Sequence, residues 1–362
     1  MKIRLCVLFL IVVFAFSGCA GSVPTKISFV QSDLEASWSM VGLGRERGIK
    51  FNSLGSLTLG ASGEVTGGAA HEFGVDRKSF TGGKLFISDQ GSLSGFIDTY
   101  LADSDTREKY AILDGQMTSE KDMVVFEGKF PTDRRGIVIL IAKNRTSAQA
   151  DLAGTWVVLH DRAYSLSINK EGTITECTLA TEGGTGKGMC EGEFSLDLSG
   201  TVSAKLLFSE AREAAITVSG QLNSGKNFMA LAGSDSTHFE GTTLIFMRRD
   251  GTFSVADMEG SWRFAMTGHS GTFFGTLKTD KEGNVLDGTW CRIGVVANDS
   301  GAISGGKLFL TEKGGISGSF KISSGDTYEI LGGQMSPKKD IVDALYLDEP
   351  RTQGVMLFER IP

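Results

Sequence analysis

The sequence predicts an all-β protein of three tandem, small, eight-stranded antiparallel up-and-down barrels. Three observations lead there. An Asp followed five residues later by a Trp occurs three times, as DLEASW (Asp33–Trp38), DLAGTW (Asp151–Trp156) and DMEGSW (Asp257–Trp262). Each copy then runs through the same series of segments: GGKLFISDQGSLSGF, CEGEFSLDLSGTVSAKL or GGKLFLTEKGGISGSF, next DGQM, SGQL or GGQM, and last an apolar run ending on Lys143, Arg248 or Arg360. Within each copy, short alternating runs are broken by Gly-, Asp- or Ser-rich turns, and no segment carries a 3.6-residue apolar period. The Trp-to-basic separations of 105, 92 and 98 residues are too long for solenoid repeats of about 20 to 50 residues, so each copy is a domain.

The third copy gives the strands most plainly: SWRFAMT, GTFFGTLKT, VLDGTWCRIGVV, GKLFLTE, ISGSFKI, TYEILGGQM, DIVDALYL and GVMLFERI, with turns at KEGN, EKGG, SSGD and SPKK. Short antiparallel strands with no helix to cover them leave exposed edges, and closing the sheet into a barrel removes both. The expected barrels span residues 33–145, 151–249 and 257–362. Their connections are short enough to bring neighbours into contact.

Residues 1–18 stand outside the fold. Lys2 and Arg4 precede an apolar run from Leu5 to Phe16 that is too short to span a bilayer and has the layout of a secretory signal. Small residues placed directly before Cys19 resemble the lipobox of bacterial lipoproteins. That resemblance implies cleavage before Cys19 and acylation of its thiol and new amino group. Phe16 stands where that family has an aliphatic residue, and an ordinary signal peptide with a chance Cys is the alternative. More than one acyl chain makes a stable anchor. Residues 19–32 then form a lipidated tether, and Ala20, in place of a retaining Asp, implies the outer membrane of the cell envelope. Removal of Lys2 and Arg4 leaves 34 basic against 43 acidic residues, a charge of −9 with no like-charge block, which argues against nucleic acid as a partner.

Gly154-Thr-Trp156 and Gly260-Ser-Trp262, degraded to Ala36-Ser-Trp38 in the first copy, together with a basic residue late in the last strand, resemble the lipocalin and avidin-like (calycin) barrels. The resemblance implies a cation–π contact of a basic side chain over each indole at the closed end. It pairs Trp38 with Lys143, Trp156 with Arg248 and Trp262 with Arg360, all as structural residues.

The repeated Gly-Gln (Gly115-Gln116, Gly220-Gln221, Gly333-Gln334) is either scaffold or ligand contact. Period-2 parity puts Leu113, Gly115 and Met117 inside and Gln116 outside, which favours scaffold. Cys177 and Cys190 are directly opposed if a two-residue turn falls at Gly183-Gly184, so in an oxidising compartment they form a cross-strand disulfide. Two buried thiols or a longer loop are the alternative. Cys291 reads as a core residue. His71-Glu72 lacks the second His of a metalloprotease helix, and His160 and His269 read as loop residues. No G-x-S-x-G elbow or phosphate loop is present, and Gly184–Gly188 reads as hairpin turn. The sequence thus points to a non-catalytic, lipid-anchored envelope protein without metal or cofactor. It acts either as a scaffold or interaction module for an envelope protein, or as a carrier of a small apolar ligand inside one or more barrels.

Overall fold

A computed structural model describes residues 27–46, 49–73, 77–102, 104–129, 135–143, 146–159, 163–181, 184–186, 190–208, 215–235, 241–268, 271–293, 298–348 and 352–361. Eight strands close the first barrel: β1 (Ala36–Glu46), β2 (Ile49–Leu59), β3 (Val65–Glu72), β4 (Arg77–Ile87), β5 (Ser92–Leu101), β6 (Thr106–Met117), β7 (Met123–Lys129) and β8 (Arg135–Ala142), with β8 pairing back on β1. The middle copy holds β9 (Gly154–Leu159), β10 (Ala163–Ile168), β11 (Ile174–Thr181), β12 (Gly184–Gly186), β13 (Cys190–Leu196), β14 (Thr201–Phe208), β15 (Ile216–Leu222), β16 (Phe228–Asp235) and β17 (Gly241–Arg248). There β12 and β13 share the position that β4 fills alone, so nine segments cover eight strand positions. The third barrel closes through β18 (Gly260–Gly268), β19 (Gly271–Thr279), β20 (Asn284–Ile293), β21 (Asn298–Leu310), β22 (Gly315–Ile322), β23 (Thr327–Met335), β24 (Ile341–Asp348) and β25 (Thr352–Arg360). The eight runs read in the third copy are β18 to β25.

The Asp-to-Trp spacing is explained at the start of each barrel. A 3-10 turn (Gln31–Leu34, Gln149–Leu152 and Val255–Met258) plugs one end with a fully buried Leu34, Leu152 or Met258. The Asp accepts a backbone N–H at its start, from Val30, Ala148 or Ser254, each at 2.8 Å. The indole N–H of Trp38, Trp156 and Trp262 donates to the carbonyl of the plug residue at 3.0, 2.8 and 2.8 Å. This closed end is also where Gly91 and Gly314, at φ of 81° and 80°, let the GGKLF hairpins turn tightly.

Parity along β6 does not hold as the sequence suggests. β-bulges fall at Ile112/Asp114 and Ile330/Gly332. Each extra residue flips the strand by one step, so Tyr110, Ile112, Tyr328 and Ile330 turn into their barrels while Leu113 faces out at 41% exposure. The middle copy has no bulge there, and Val218 and Leu222 line its interior as parity requires.

Besides one core inside each barrel, a fourth apolar core lies between them. It joins Val41, Ile139 and Ile141 of the first barrel, Phe228, Ile245 and Met247 of the second, and Ala265, Ile341 and Leu357 of the third. The contacts run in a cycle, β1 on β16, β9 on β24, and β18 on β8 and β1. This is a heterologous interface used three times and closed into a ring, as in a three-fold oligomer, here within one chain.

Candidate functional site

Two regions gather most of the polar groups that the fold buries among the described residues. The first is the hub where the three turns preceding β7, β16 and β24 meet, all at closed ends. Ser224 donates to Asp122 Oδ2 through its N–H at 3.0 Å and its hydroxyl at 2.5 Å. Ser119 donates to Asp340 at 3.3 Å, and Lys338 lies 2.9 Å from Glu120. In the third pairing Pro337 stands where the other turns have Ser119 and Ser224. Each turn also holds a lysine at positive φ, Lys121 (61°), Lys226 (56°) and Lys339 (62°). These reach Asp33, Asp151 and Asp257 of the plugs at 2.7, 2.8 and 2.9 Å. Burial alone would raise Asp151 and Asp257, but the lysine hydrogen bonds and the plug N–H groups hold both below the usual range.

Around this hub, Arg263 crosses from β18 to the first barrel, donating to Gly115 O and to Gln116 Oε1 at 3.1 Å, and lies 3.3 Å from Asp114. Burial nevertheless raises the Asp114 carboxyl against the pull of that guanidinium. Asp343 and Glu359 are 0% and 5% exposed, and one carboxylate oxygen of each, Oδ2 and Oε1, finds no hydrogen-bond partner among the described residues. Burial pushes both well above their ordinary values, with Asp340 adding to the shift of Glu359 and Arg263 opposing it. Raised native values favour the fold most at low pH, and that contribution is lost as the pH climbs through them. The depressed Asp151 and Asp257 act the other way, stabilising above about pH 4 and losing that effect on further acidification. The melting temperature is therefore expected to fall as the pH rises above the ordinary carboxylate range of about 4, with Asp343→Asn and Glu359→Gln together flattening the slope. A slope unchanged by the pair would show that other groups set it.

The second region is the mouth of the first barrel, opposite its plug. By register, Met40, Gly42, Ser53, Ala70, Ile97 and Gly128 stand where the third barrel has Phe264, Met266, Phe273, Trp290, Phe320 and Tyr346. The third barrel is filled by those rings, with Phe273 and Phe320 at 5.5 and 5.6 Å from Tyr328, and Tyr346 at 5.9 Å. In the first, Lys78 takes the place of Gly301 and lies 3.8 Å from Glu72 and 3.5 Å from Glu108. Burial, then Glu127 and Glu72, hold the Tyr110 phenol well above its usual range. The resulting cavity, walled by Met40, Ala70, Phe80 and Ile97, has a volume of about 20 Å³, room for one water. A second space of about 20 Å³ lies at the Arg263 seam. Neither accommodates a lipid-sized ligand.

Of the residues singled out from the sequence, Arg248 lies with its guanidinium carbon 5.1 Å from the Trp156 ring centre, and Arg360 lies 4.5 Å from Trp262. The pairing of Trp38 with Lys143 is corrected. Ala142 stands opposite Trp38 in the ladder, and Lys143 is one step on and exposed. Neighbouring strand residues face opposite sides, so the first barrel has no basic side chain at that position. Cys177 and Cys190 are joined in a disulfide with Cα atoms 5.5 Å apart. The hairpin differs from expectation, since Thr181 pairs with Gly184 and Cys190 enters as the first residue of β13. Gln116, Gln221 and Gln334 are 1%, 0% and 1% exposed, their outward faces covered. Their amides donate to Gln90 O, Ser199 O and Lys313 O at 2.8, 2.7 and 2.9 Å, fixing the turns before β5, β14 and β22. A Cβ on Gly220 or Gly333 would run into the backbone of β16 or β24, which accounts for the Gly. Cys291 is of intermediate exposure, and His71 is exposed with its ring edge on Phe73. Cys19, His160 and His269 lie outside the described residues. Among the described residues no group of three or more His, Cys, Asp and Glu is placed to hold a metal. The lysine clasp, the Arg263 bridge and the buried acids were missed by sequence reasoning. The clasp had a signal, a Lys in one column of the three copies (SEKDM, SGKNF, PKKDI).

No protein-family model matches the chain, and no curated protein does. Similar solved structures include a transferrin-binding protein B variant from Haemophilus parasuis Hp5, 8% identical, covering 90% of this chain and 75% of that one at a TM-score of 0.26. A putative AttH from Nitrosomonas europaea is 8% identical and covers 95% and 98% at 0.25. A de novo fluorescence-activating β-barrel is 14% identical and covers 30% of this chain and 98% of its own at 0.24. At such identities and scores none of them bears on what this chain binds.

Proposed function

We propose that the protein is a non-catalytic platform of the cell envelope, anchored in the outer membrane through acylated Cys19, that binds another envelope protein with the outer faces and loop ends of its barrels. One observation carries this reading: outward faces of all three barrels meet in a shared buried core. A fused array of this kind presents its remaining outer faces and loop ends as one continuous surface. The carrier reading has one observation in its favour, the hollowed mouth of the first barrel with its Lys78 cluster.

Photo-crosslinking from single outer-face positions in the native host tests the platform. A discrete protein adduct confined to one face is expected, and membrane fractionation should lose the protein on Cys19→Ser. A stoichiometric small ligand in native mass spectra of protein extracted from its own membrane, with no adduct from any face, would overturn the platform in favour of the carrier.

A further inference from the structure

The large apolar side chains left exposed are unevenly placed. Among the described residues, Ile27, Val30, Phe86, Leu113, Leu198, Leu286 and Phe309 are 37% to 74% exposed, and Leu113 faces out from within β6. Ile27 and Val30 lead into the first plug. Phe86 and Phe309 stand two residues before the matching turns at 88–91 and 311–314, Leu198 lies in the same turn of the middle barrel, and Leu286 follows the turn at 280–283. Six of the seven therefore sit at closed ends, and the meeting of the three hub turns puts the three closed ends on one side. Single exposed apolar residues need no explanation, but a set gathered at one end does.

We infer that this closed-end face rests on the lipid bilayer and that the open mouths, including the Lys78 pocket, point away from it. The inference rests on the reading of Cys19 as an acylated anchor. Seven residues, 20–26, separate Cys19 from Ile27, a reach of at most about 25 to 30 Å, so the first plug is held near the membrane. Partly exposed Phe and Leu side chains suit the boundary between headgroups and acyl chains. The turns there alternate sign, as in Lys170-Glu171, Lys281-Glu282 and Glu312-Lys313, so the face suits a zwitterionic surface and its seating is insensitive to salt.

The test couples the mature chain, carrying Cys291→Ser, through the Cys19 thiol to maleimide-lipid in phosphatidylcholine–phosphatidylethanolamine vesicles. An anchor is then present whether or not the cell supplies one. Amine-reactive footprinting compares bound and free protein. Lys281 and Lys313 at closed ends are expected to lose at least fivefold in labelling, and Phe86→Ser with Phe309→Ser to restore it. Lys109 and Lys321, near the open ends, should not change. Equal change at both ends would overturn the orientation, as would closed-end protection that appears without vesicles and grows with protein concentration, the mark of a second copy. The mass of the N-terminal peptide from protein made in its own host decides the acylation separately.

Discussion

Replacing Cys177 and Cys190 by alanine is expected to lower stability by about 3 kcal/mol and to open the middle barrel along one seam. The disulfide closes a loop of 13 residues, for which loss of loop-closure entropy in the unfolded chain gives a value of that order. Its place in the fold adds to the expectation. Among the described residues, the bridge of Thr173 to Glu193 and the hydrogen bond from the Phe194 N–H to Gly172 O link the two sides of this seam just before β11, and β12 contributes three paired residues. In the third barrel the corresponding strands, β20 and β21, share seven register pairs. Where the middle barrel lacks a ladder, the disulfide holds the two strands together. Hydrogen exchange should therefore show faster amides in β11 and β13 while β16 and β17, packed into the shared core, keep their protection. Denaturant unfolding of the wild type with reductant should match the double variant, which should itself ignore reductant. A midpoint unchanged by either treatment would mean that the seam is held by something else.

The repeats, the strand count and the barrel closure were legible because they depend on local pattern: alternation, Gly turns, and a Trp at the same place in each copy. What depends on register was not. Parity along β6 fails at Leu113 because a bulge inserts one residue, and nothing in YAILDGQM distinguishes the bulged strand from the regular ITVSGQL except the count of residues before Gly-Gln. The same one-step error put Lys143 where the ladder has Ala142. Contacts between barrels were the least legible. Val41, Ile139 and Ile141 read as ordinary alternation around β1 and β8, and only the assembled ring shows that their outward faces meet Phe228 and Met247. Arg263 follows Trp262 as Ser39 follows Trp38 and Val157 follows Trp156, so its exceptional role comes from the seam it faces.

That ring leads to the second large effect. Phe228 belongs to the outer face of the middle barrel, yet it is 0% exposed. It and its register mates Met123 and Ile341 lie together in the shared core. Phe228→Ala should cost about 3 to 5 kcal/mol, the range for removing a buried ring, and the cost should fall on all three barrels. Hydrogen exchange is expected to speed in β7 and β24 as well as β16. Leu206→Ala is the control. Leu206 is 1% exposed inside the middle barrel, and its loss should cost about 2 to 5 kcal/mol while leaving β7 and β24 protected. Sites in one packed network couple, whereas sites in separate cores add independently. If Phe228→Ala loosens the middle barrel alone, the three barrels are separate domains that merely touch, and a platform that presents one fixed outer surface loses its physical basis.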